Sequence, residues 1–443
     1  MSTATNDADL SGMSESQRNA EATKVAYASL VGSTIEWYDF FLYGTASALV
    51  FRELFFPQFS DLTGTLLSFS TMAVGYFARP LGAIIMGHFG DKLGRKAMLI
   101  TSLVMMGLAT TLIGLLPSYA SIGIAAPIVL VIARLFQGFA VGGEVGGAIT
   151  MAVEHAPSHR RGFFGGFPQL GVASGLVLAN LIFLASSVSM SAEDFKTYGW
   201  RIPFLFSIIL VLIGIYFRLK ISESPIFRAM KRIGEEAKVP LVSLVKLGWK
   251  EMLIVALSTI FTNVMGFTGL IYMLGYATTK LGFTRPTILT FTIIANVIEI
   301  PATLYFAHLS DRIGRRKIYL LALGFAMIWG LAFFPLVNTA NPVLVFIAIV
   351  VARLCIAAIF GPQAALFSEL FDTKIRYSGI SIGYSISSII GAQTPALLAL
   401  IVASSASVMA LSGFLFGAAL ISFVTALFLW ETNKVDLRGK LSG

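Results

Sequence analysis

The sequence predicts an all-α membrane protein, with twelve transmembrane helices in two pseudo-symmetric six-helix bundles. Three observations predict it. The 443 residues are 56% hydrophobic and only 12% charged, with a mean hydropathy of +0.82; no soluble globule of this length needs so little charge. The apolar residues fall in runs of about 20, which is what a helix needs to cross a hydrocarbon core of about 30 Å, whereas a closed β-barrel shows only weak alternation. Finally, Gly87-His-Phe-Gly-Asp-Lys-Leu-Gly-Arg-Lys96 is echoed by Ala307-His-Leu-Ser-Asp-Arg-Ile-Gly-Arg-Arg-Lys317, so that Asp91, Gly94 and Arg95 return as Asp311, Gly314 and Arg315. Each copy lies between two apolar runs, as expected of one membrane unit present twice.

The expected spans follow in order. Span 1, about 25–50, carries Glu36 and Asp39. Span 2, about 63–89, carries Arg79 and runs into the first charged motif, and span 3, about 97–117, follows it. Span 4, about 122–152, carries Arg134 and Glu144; spans 5 and 6 are about 163–187 and 202–219. The longest polar interruption then separates six runs from six, with Arg228, Lys231, Arg232, Glu235, Glu236 and Lys238. Spans 7 and 8, about 251–279 and 287–309, lead to the second motif. Spans 9 to 12 are about 318–337, 343–368, 379–404 and 407–429. Gly361-Pro362 and Pro301 are expected to bend spans 10 and 8. The domain limits are a tail 1–24, a bundle 25–220, a central loop 221–250, a second bundle 251–429 and a tail 430–443.

Charge sets the sidedness. Of the 32 Lys and Arg, 24 fall in the tails, the central loop and the turns after spans 2, 4, 8 and 10. Arg52, Lys196, Arg201, Lys280 and Arg285 fall in the opposite loops, and Arg79, Arg134 and Arg353 lie within spans. Positive loops stay in the cytoplasm, so both termini are expected there. The net charge of +9 is read as these topology determinants and not as a nucleic-acid surface. The N-terminal stretch is polar and acidic, without the basic and apolar regions of a cleaved signal peptide. The single cysteine, Cys355, lies in an apolar run, so no disulfide framework is expected.

The halves agree beyond the motif. Ala133-Arg134-Leu135 matches Ala352-Arg353-Leu354. Glu154 precedes Arg161 by seven residues, as Glu369 precedes Arg376. Arg79 stands twelve before Asp91, and Glu299 twelve before Asp311. Two such helical halves suit a carrier that alternates access to one central site.

Seven ionisable groups fall inside spans: Glu36, Asp39, Glu144 and Glu299 against Arg79, Arg134 and Arg353. Each costs about 2.5–3.5 kcal/mol at the membrane centre, so mutual pairing is expected. Glu36 and Asp39 are three apart and share a helix face. With Glu144 they form the expected proton-coupling set, with Arg134 as the partner of Asp39 when substrate is absent. Arg134 and Arg353 carry planar donor forks matched to a carboxylate. With Arg79, Glu299, Tyr43, Gln137 and Tyr384 they form the expected substrate set. Gly87, Asp91, Gly94 and Arg95, with Asp311, Gly314 and Arg315, form the expected gate, whose contacts hold one conformation and break in the other. Ala307 replaces the first glycine, so the second copy is expected to close more loosely. His88, His155, His159 and His308 make no metal-ligand spacing, and neither metal nor cofactor is expected. Gly142, Gly143, Gly146 and Gly147 sit in an apolar helix, where small residues allow close packing. There is no Walker motif and no nucleophile–base pair, so neither ATP drive nor an enzyme is expected.

Gly87-x-x-x-Asp91-Lys92-x-Gly94-Arg95-Lys96 resembles the loop 2–3 signature of the major facilitator superfamily. Thr34-Ile-Glu36-Trp37-Tyr38-Asp39-Phe40 with Tyr43-Gly44, Arg79-Pro80-x-Gly82, and Arg134-Leu-Phe-Gln137-Gly138-x-x-x-Gly142-Gly143-Glu144 resemble its metabolite:H⁺ symporter family. So do Glu223-Ser-Pro-x-Phe227, Glu369-Leu-Phe371 and Arg376-Tyr377-Ser-Gly379. The pattern spans about residues 30–395 and is most like the shikimate-permease branch. The resemblance implies a monomeric carrier in the cell inner membrane that imports organic acids with protons: shikimate, α-ketoglutarate or citrate. Its other members imply the alternative, a zwitterionic compatible solute such as proline or betaine.

Overall fold

The computed structural model describes residues 15–232, 240–405, 407–435 and 437. Most of the expected tail 1–24 lies outside them, as do Glu235, Glu236, Lys238 and nearly all the chain after Val435. Every regular element among the described residues is helical. The first half contains span 1 (Glu15–Ala46), span 2 (Asp61–Leu93), span 3 (Arg95–Leu115), span 4 (Ala125–His155), span 5 (Arg161–Val188) and span 6 (Arg201–Leu219). Two short helices, Pro225–Arg232 and Pro240–Leu247, connect the halves. Span 7 comes in pieces, Trp249–Ser258, Ile260–Phe267 and Met273–Lys280. Span 8 (Arg285–Ile313), span 9 (Arg315–Val337), span 10 (Pro342–Leu370), span 11 (Arg376–Ala392, continued by Thr394–Ser405) and span 12 (Val408–Ala426) complete the fold.

Eleven of the twelve are long and apolar enough to cross a bilayer on composition alone. Span 1 is the twelfth. Its first turns hold Glu15, Arg18, Glu21 and Lys24, and Glu36 and Asp39 follow. Spans 1 and 7 repeat one irregularity: each opens into a wide π-type turn, at Ser47–Phe51 and Thr268–Tyr272. Such turns interrupt the regular ladder and re-aim the side chains beyond them. Pro301 and Pro362 stand inside continuous helices.

Each half closes around its own apolar core. One core gathers Tyr38, Phe51, Trp200 and Phe204 of the first half, and Phe267 of span 7 joins it. The other gathers Phe261, Tyr319, Phe334 and Phe367, and takes in Ala83, Ile149 and Val153 where the halves touch. The outer faces keep Leu108, Leu112, Leu115, Leu212, Ile328 and Leu331 exposed. A band of this kind would be an aggregation hazard in water and is the normal surface of a helix in lipid.

Topology is open to a direct check. Lys196 is exposed and pairs with Glu53 at 2.9 Å; Lys280 ends span 7. Lys196→Cys and Lys280→Cys should each react with an impermeant maleimide from the outside of intact cells. Reaction only in inverted vesicles would reverse the orientation expected from the loop charges.

Candidate functional site

The two motif turns are built alike. Gly94 and Gly314 end spans 2 and 8 with φ of 121° and 115°, a region that favours glycine. A Cβ at either would run into a carboxylate, that of Glu223 or of Glu431. Those carboxylates accept from the free N–H groups that open the next helix: Glu223 from Arg95 and Lys96 (3.2 and 3.1 Å), Glu431 from Arg315 and Arg316 (2.9 and 3.2 Å). An acid is favourable at a helix N-terminus for this reason.

The motif acids reach across to the other half in the same way. Asp91, fully buried, accepts from the N–H and hydroxyl of Ser378 in the first turn of span 11 (3.1 and 2.8 Å). Asp311 accepts from Gly162 and Phe163 in the first turn of span 5 (2.8 and 2.9 Å). The arginines then tie both ends together. Glu154 is shared by Arg95 of its own half (3.4 Å), Arg376 of the other (2.5 Å) and the Ser224 hydroxyl. Glu369 is shared by Arg315 (2.7 Å), by Arg161 of the first half (3.6 Å) and by the Thr432 hydroxyl (2.6 Å). The halves are therefore locked together at the motif face.

The second copy does not close more loosely. The backbone beside Ala307 is approached by glycines of the facing helices: a Cβ on Gly162 or Gly361 would lie 2.6 Å from the Ala307 carbonyl or amide. In the first copy the glycine is Gly87 itself, whose Cβ would lie 2.9 Å from Ser378. The small residue has moved to the partner helix, and the fit is kept.

Asp91→Asn retains an acceptor for Ser378 but loses the charge, and charge-assisted hydrogen bonds are roughly twice as strong as neutral ones. Turnover should fall at least about tenfold, with substrate affinity changed far less. Unchanged turnover in a folded Asp91→Asn protein would remove the residue from the gate.

Between the halves lies an open cavity, and the space between bundled helices is a usual place for a small-molecule site. Spans 1, 2, 4, 5, 7, 10 and 11 line it. Its polar side chains include Glu36, Arg79, Gln169, Asn263, Arg353 and Tyr384. Gln169 donates to the Tyr384 hydroxyl (3.1 Å) and to Gln363 Oε1 (3.2 Å). The phenol keeps its own proton to offer. Arg353 stands 3.6 Å from Glu299. Arg79 lies over the Tyr76 ring, 4.2 Å from its centroid.

A smaller recess leads off the cavity, lined by Glu36, Asp39, Arg79, Arg134 and Gln137 among others. The expected direct pair of Asp39 with Arg134 is not formed. Asp39 accepts instead from Thr110 (2.7 Å) and Ser207 (2.9 Å). Arg134 donates to Gln137 (2.8 Å), and Gln137 donates to Thr110 (2.6 Å), so a relay of two side chains joins the two charges. Arg134 also lies over the Tyr43 ring at 3.7 Å, and Tyr43 hydrogen-bonds to Thr71. Tyr43 thus stands behind Arg134 and lines neither space.

Glu144 also lies outside the two spaces. It pairs with Arg218 and accepts from Ser102 (2.7 Å). Sequence reasoning grouped Arg218 with the loop charges because Lys220 follows it so closely. Its position within span 6 was the available signal. With Arg218 the buried set becomes four acids and four arginines, so the sum is neutral. Thr110, Ser207, Gln169, Asn263 and Gln363 carried no signal, because polar uncharged residues are ordinary in helices.

The Major Facilitator Superfamily profile matches residues 30–392 and 256–443. The Escherichia coli (strain K12) inner membrane metabolite transport protein YhjE is 38% identical over 425 residues, covering 94% of this chain and 95% of the relative. The Escherichia coli (strain K12) shikimate transporter is 37% identical over 421 residues, covering 94% and 96%. A Staphylococcus aureus (strain COL) putative proline/betaine transporter is 31% identical over 424 residues, covering 95% and 91%. Among solved structures, the proton:xylose symporter XylE bound to 6-bromo-6-deoxy-D-glucose superposes with a TM-score of 0.76 at 20% identity, covering 96% of this chain and 99% of that one.

Proposed function

The chain belongs to the Major Facilitator Superfamily, and from that premise we propose that it imports a small organic acid together with protons by alternating access. It is a membrane transporter of metabolites and not an enzyme. The observation that carries the finer reading is the central cavity, where Arg79 and Arg353 face hydroxyl and amide side chains beside Glu36 of span 1. Guanidinium groups fit a carboxylate, and hydroxyls and amides fit an oxygen-rich remainder. The lock at the motif face leaves the cavity to be filled from the opposite side, which the loop charges make the outside. We place the chain in the inner membrane as a monomer, with both termini cytoplasmic. The expected substrate is shikimate-like or a di- or tricarboxylate.

A second reading has its own support. Glu299 faces Arg353 and Glu144 faces Arg218, which reduces the positive field and favours a zwitterion; a relative at 31% identity is named a proline/betaine transporter. One experiment separates the two. Proteoliposomes with an alkaline interior are offered labelled shikimate, α-ketoglutarate, citrate, proline and betaine. An acid should accumulate, and a protonophore should abolish the accumulation. Accumulation of betaine or proline with no competition from the acids would replace the anion reading.

The proton is assigned to Asp39 and Glu36. Asp39→Asn should lose uphill uptake while retaining exchange of labelled for unlabelled substrate. Full pH-driven accumulation by that variant would remove Asp39 from the coupling.

A further inference from the structure

The buried charges of the first half differ in how well they are occupied. Asp39 holds two hydroxyl donors, Arg134 holds Gln137, and Glu144 holds Arg218 and Ser102. Across the cavity Arg353 faces Glu299. Two groups remain. Arg79, 7% exposed, makes no ion pair or hydrogen bond among the described residues and rests on aromatic rings: Tyr76 at 4.2 Å, Phe40 at 5.7 Å and Trp37 at 5.9 Å. Glu36, 1% exposed, has no hydrogen-bond donor on either carboxylate oxygen. Both line the cavity and both line the recess.

We infer that Arg79 and Glu36 form the carboxylate-exchange site: one substrate carboxylate seats on the Arg79 guanidinium only when Glu36 holds a proton. This deepens the reading of the cavity as an anion site and rests on it. The charge balance supplies the reason. The ionised acid and the guanidinium together are neutral. A bound anion would put two carboxylates against one guanidinium in a site shielded from water, where such charges interact strongly. A proton on Glu36 restores neutrality and turns one of its oxygens into a donor toward the incoming carboxylate. The proton comes from water at the cavity mouth and returns to water when the anion leaves. The Glu36 proton therefore accompanies each anion, and Asp39 couples the return of the empty carrier, so that Asp39→Asn binds and exchanges substrate without accumulating it.

The neighbours of Glu36 do not supply a substitute. The charges that reach it are Arg79 from span 2, Glu144 from span 4 and Arg218 from span 6. The last two are paired with each other. Asp39 lies a turn further along its own helix, and span 5, packed alongside, offers Gln169 and no charge at that level. Arg79 is thus the cation that both carboxylates can use. The hydroxyl of Tyr384 and the amide oxygens of Gln169 and Asn263, whose N–H groups are held by the protein, remain for the rest of the ligand, which selects a monocarboxylate bearing hydroxyl groups.

The test uses purified full-length protein in weak buffer with a pH-indicating dye, and shikimate as the probe. Binding should take up about one proton per shikimate. Affinity should fall by about tenfold per pH unit over the range in which Glu36 ionises, the slope for one linked proton. Glu36→Gln should bind with no proton uptake and a flat pH profile. Arg79→Lys, which keeps the charge but loses the fork, should bind at least about tenfold more weakly. Asp39→Asn should keep the proton uptake on binding. An infrared difference spectrum of the parent protein supplies a measurement that needs no variant at Glu36: shikimate should produce a protonated-carboxyl band that survives in Asp39→Asn. If shikimate binds and the proton uptake persists in Glu36→Gln, or the band is missing, this inference falls while the anion reading stands. If the parent binds betaine but neither shikimate nor the other acids, both fall together.

Discussion

Glu154→Gln is expected to slow transport by two to three orders of magnitude and to leave the protein resting open at its motif face. Glu154 is fully buried between Arg95 and Arg376, and the Ser224 hydroxyl completes its shell. Without the carboxylate, Arg376 stays buried without its acid and Arg95 keeps only the field of Asp91, and removing one partner of a buried pair costs about 3–5 kcal/mol. The cost applies only while the halves are locked. When the face opens, Arg376 leaves with the second half and both arginines meet water. The conformational equilibrium should therefore shift by about 10²–10³-fold toward the open form, since each 1.4 kcal/mol is a factor of ten. A single cysteine in place of Leu304, which packs near Gly166 of span 5 at this face, would report it in a background with Cys355→Ala. Its labelling in inverted vesicles should rise sharply in Glu154→Gln. Glu369→Gln should act in the same direction, because Glu369 joins Arg315 and Arg161 in the mirrored arrangement. Parent-like turnover and labelling in both variants would show that the crossed pairs hold no conformational equilibrium.

The fold was legible because hydrocarbon thickness fixes a run length that composition alone displays. Span 1 was the exception at its start. Its helix already runs from Glu15, the first described residue, ahead of the apolar run near residue 25, because its first turns are polar. The motif acids were legible because the duplication printed them twice. Their partners were not: Asp91 and Asp311 hold backbone N–H groups of spans 11 and 5, and a backbone group leaves no mark in a sequence. The seven-residue spacing from Glu154 to Arg161 and from Glu369 to Arg376 was visible as part of the repeat, but it did not show which arginine each glutamate meets across the halves. Each glutamate meets the other half's arginine, because the two halves face each other about a pseudo-twofold axis. Spacing along a chain reports neighbours on one helix, whereas this exchange is a property of the assembled halves.

Loss of either Glu144 or Arg218 alone should sharply lower the thermal stability and yield of folded protein, whereas replacing both together should restore them. The two side chains pair inside the first half, Ser102 donates to the acid, and Arg218 also donates to the Leu99 carbonyl. Each single change strands a buried charge at about 3–5 kcal/mol, a large share of a typical stability of about 5–15 kcal/mol. Glu144→Gln with Arg218→Met removes both charges and keeps the volume, an exchange that is often neutral or stabilising in proteins. The introduced amide oxygen would still accept from Ser102, and Ser102 retains the Leu99 carbonyl as an alternative acceptor. The charges of Glu144 and Arg218 are opposite and both reach Glu36. Removing them together therefore has effects that offset in part at the cavity acid, where Glu144 acts more strongly than Arg218. The double variant should regain thermal stability and pH-driven uptake to within a few-fold of the parent. That result would make the pair a structural strut and leave proton coupling to span 1. A double variant that folds normally and exchanges substrate, but cannot accumulate it against a gradient, would instead return Glu144 to the proton path.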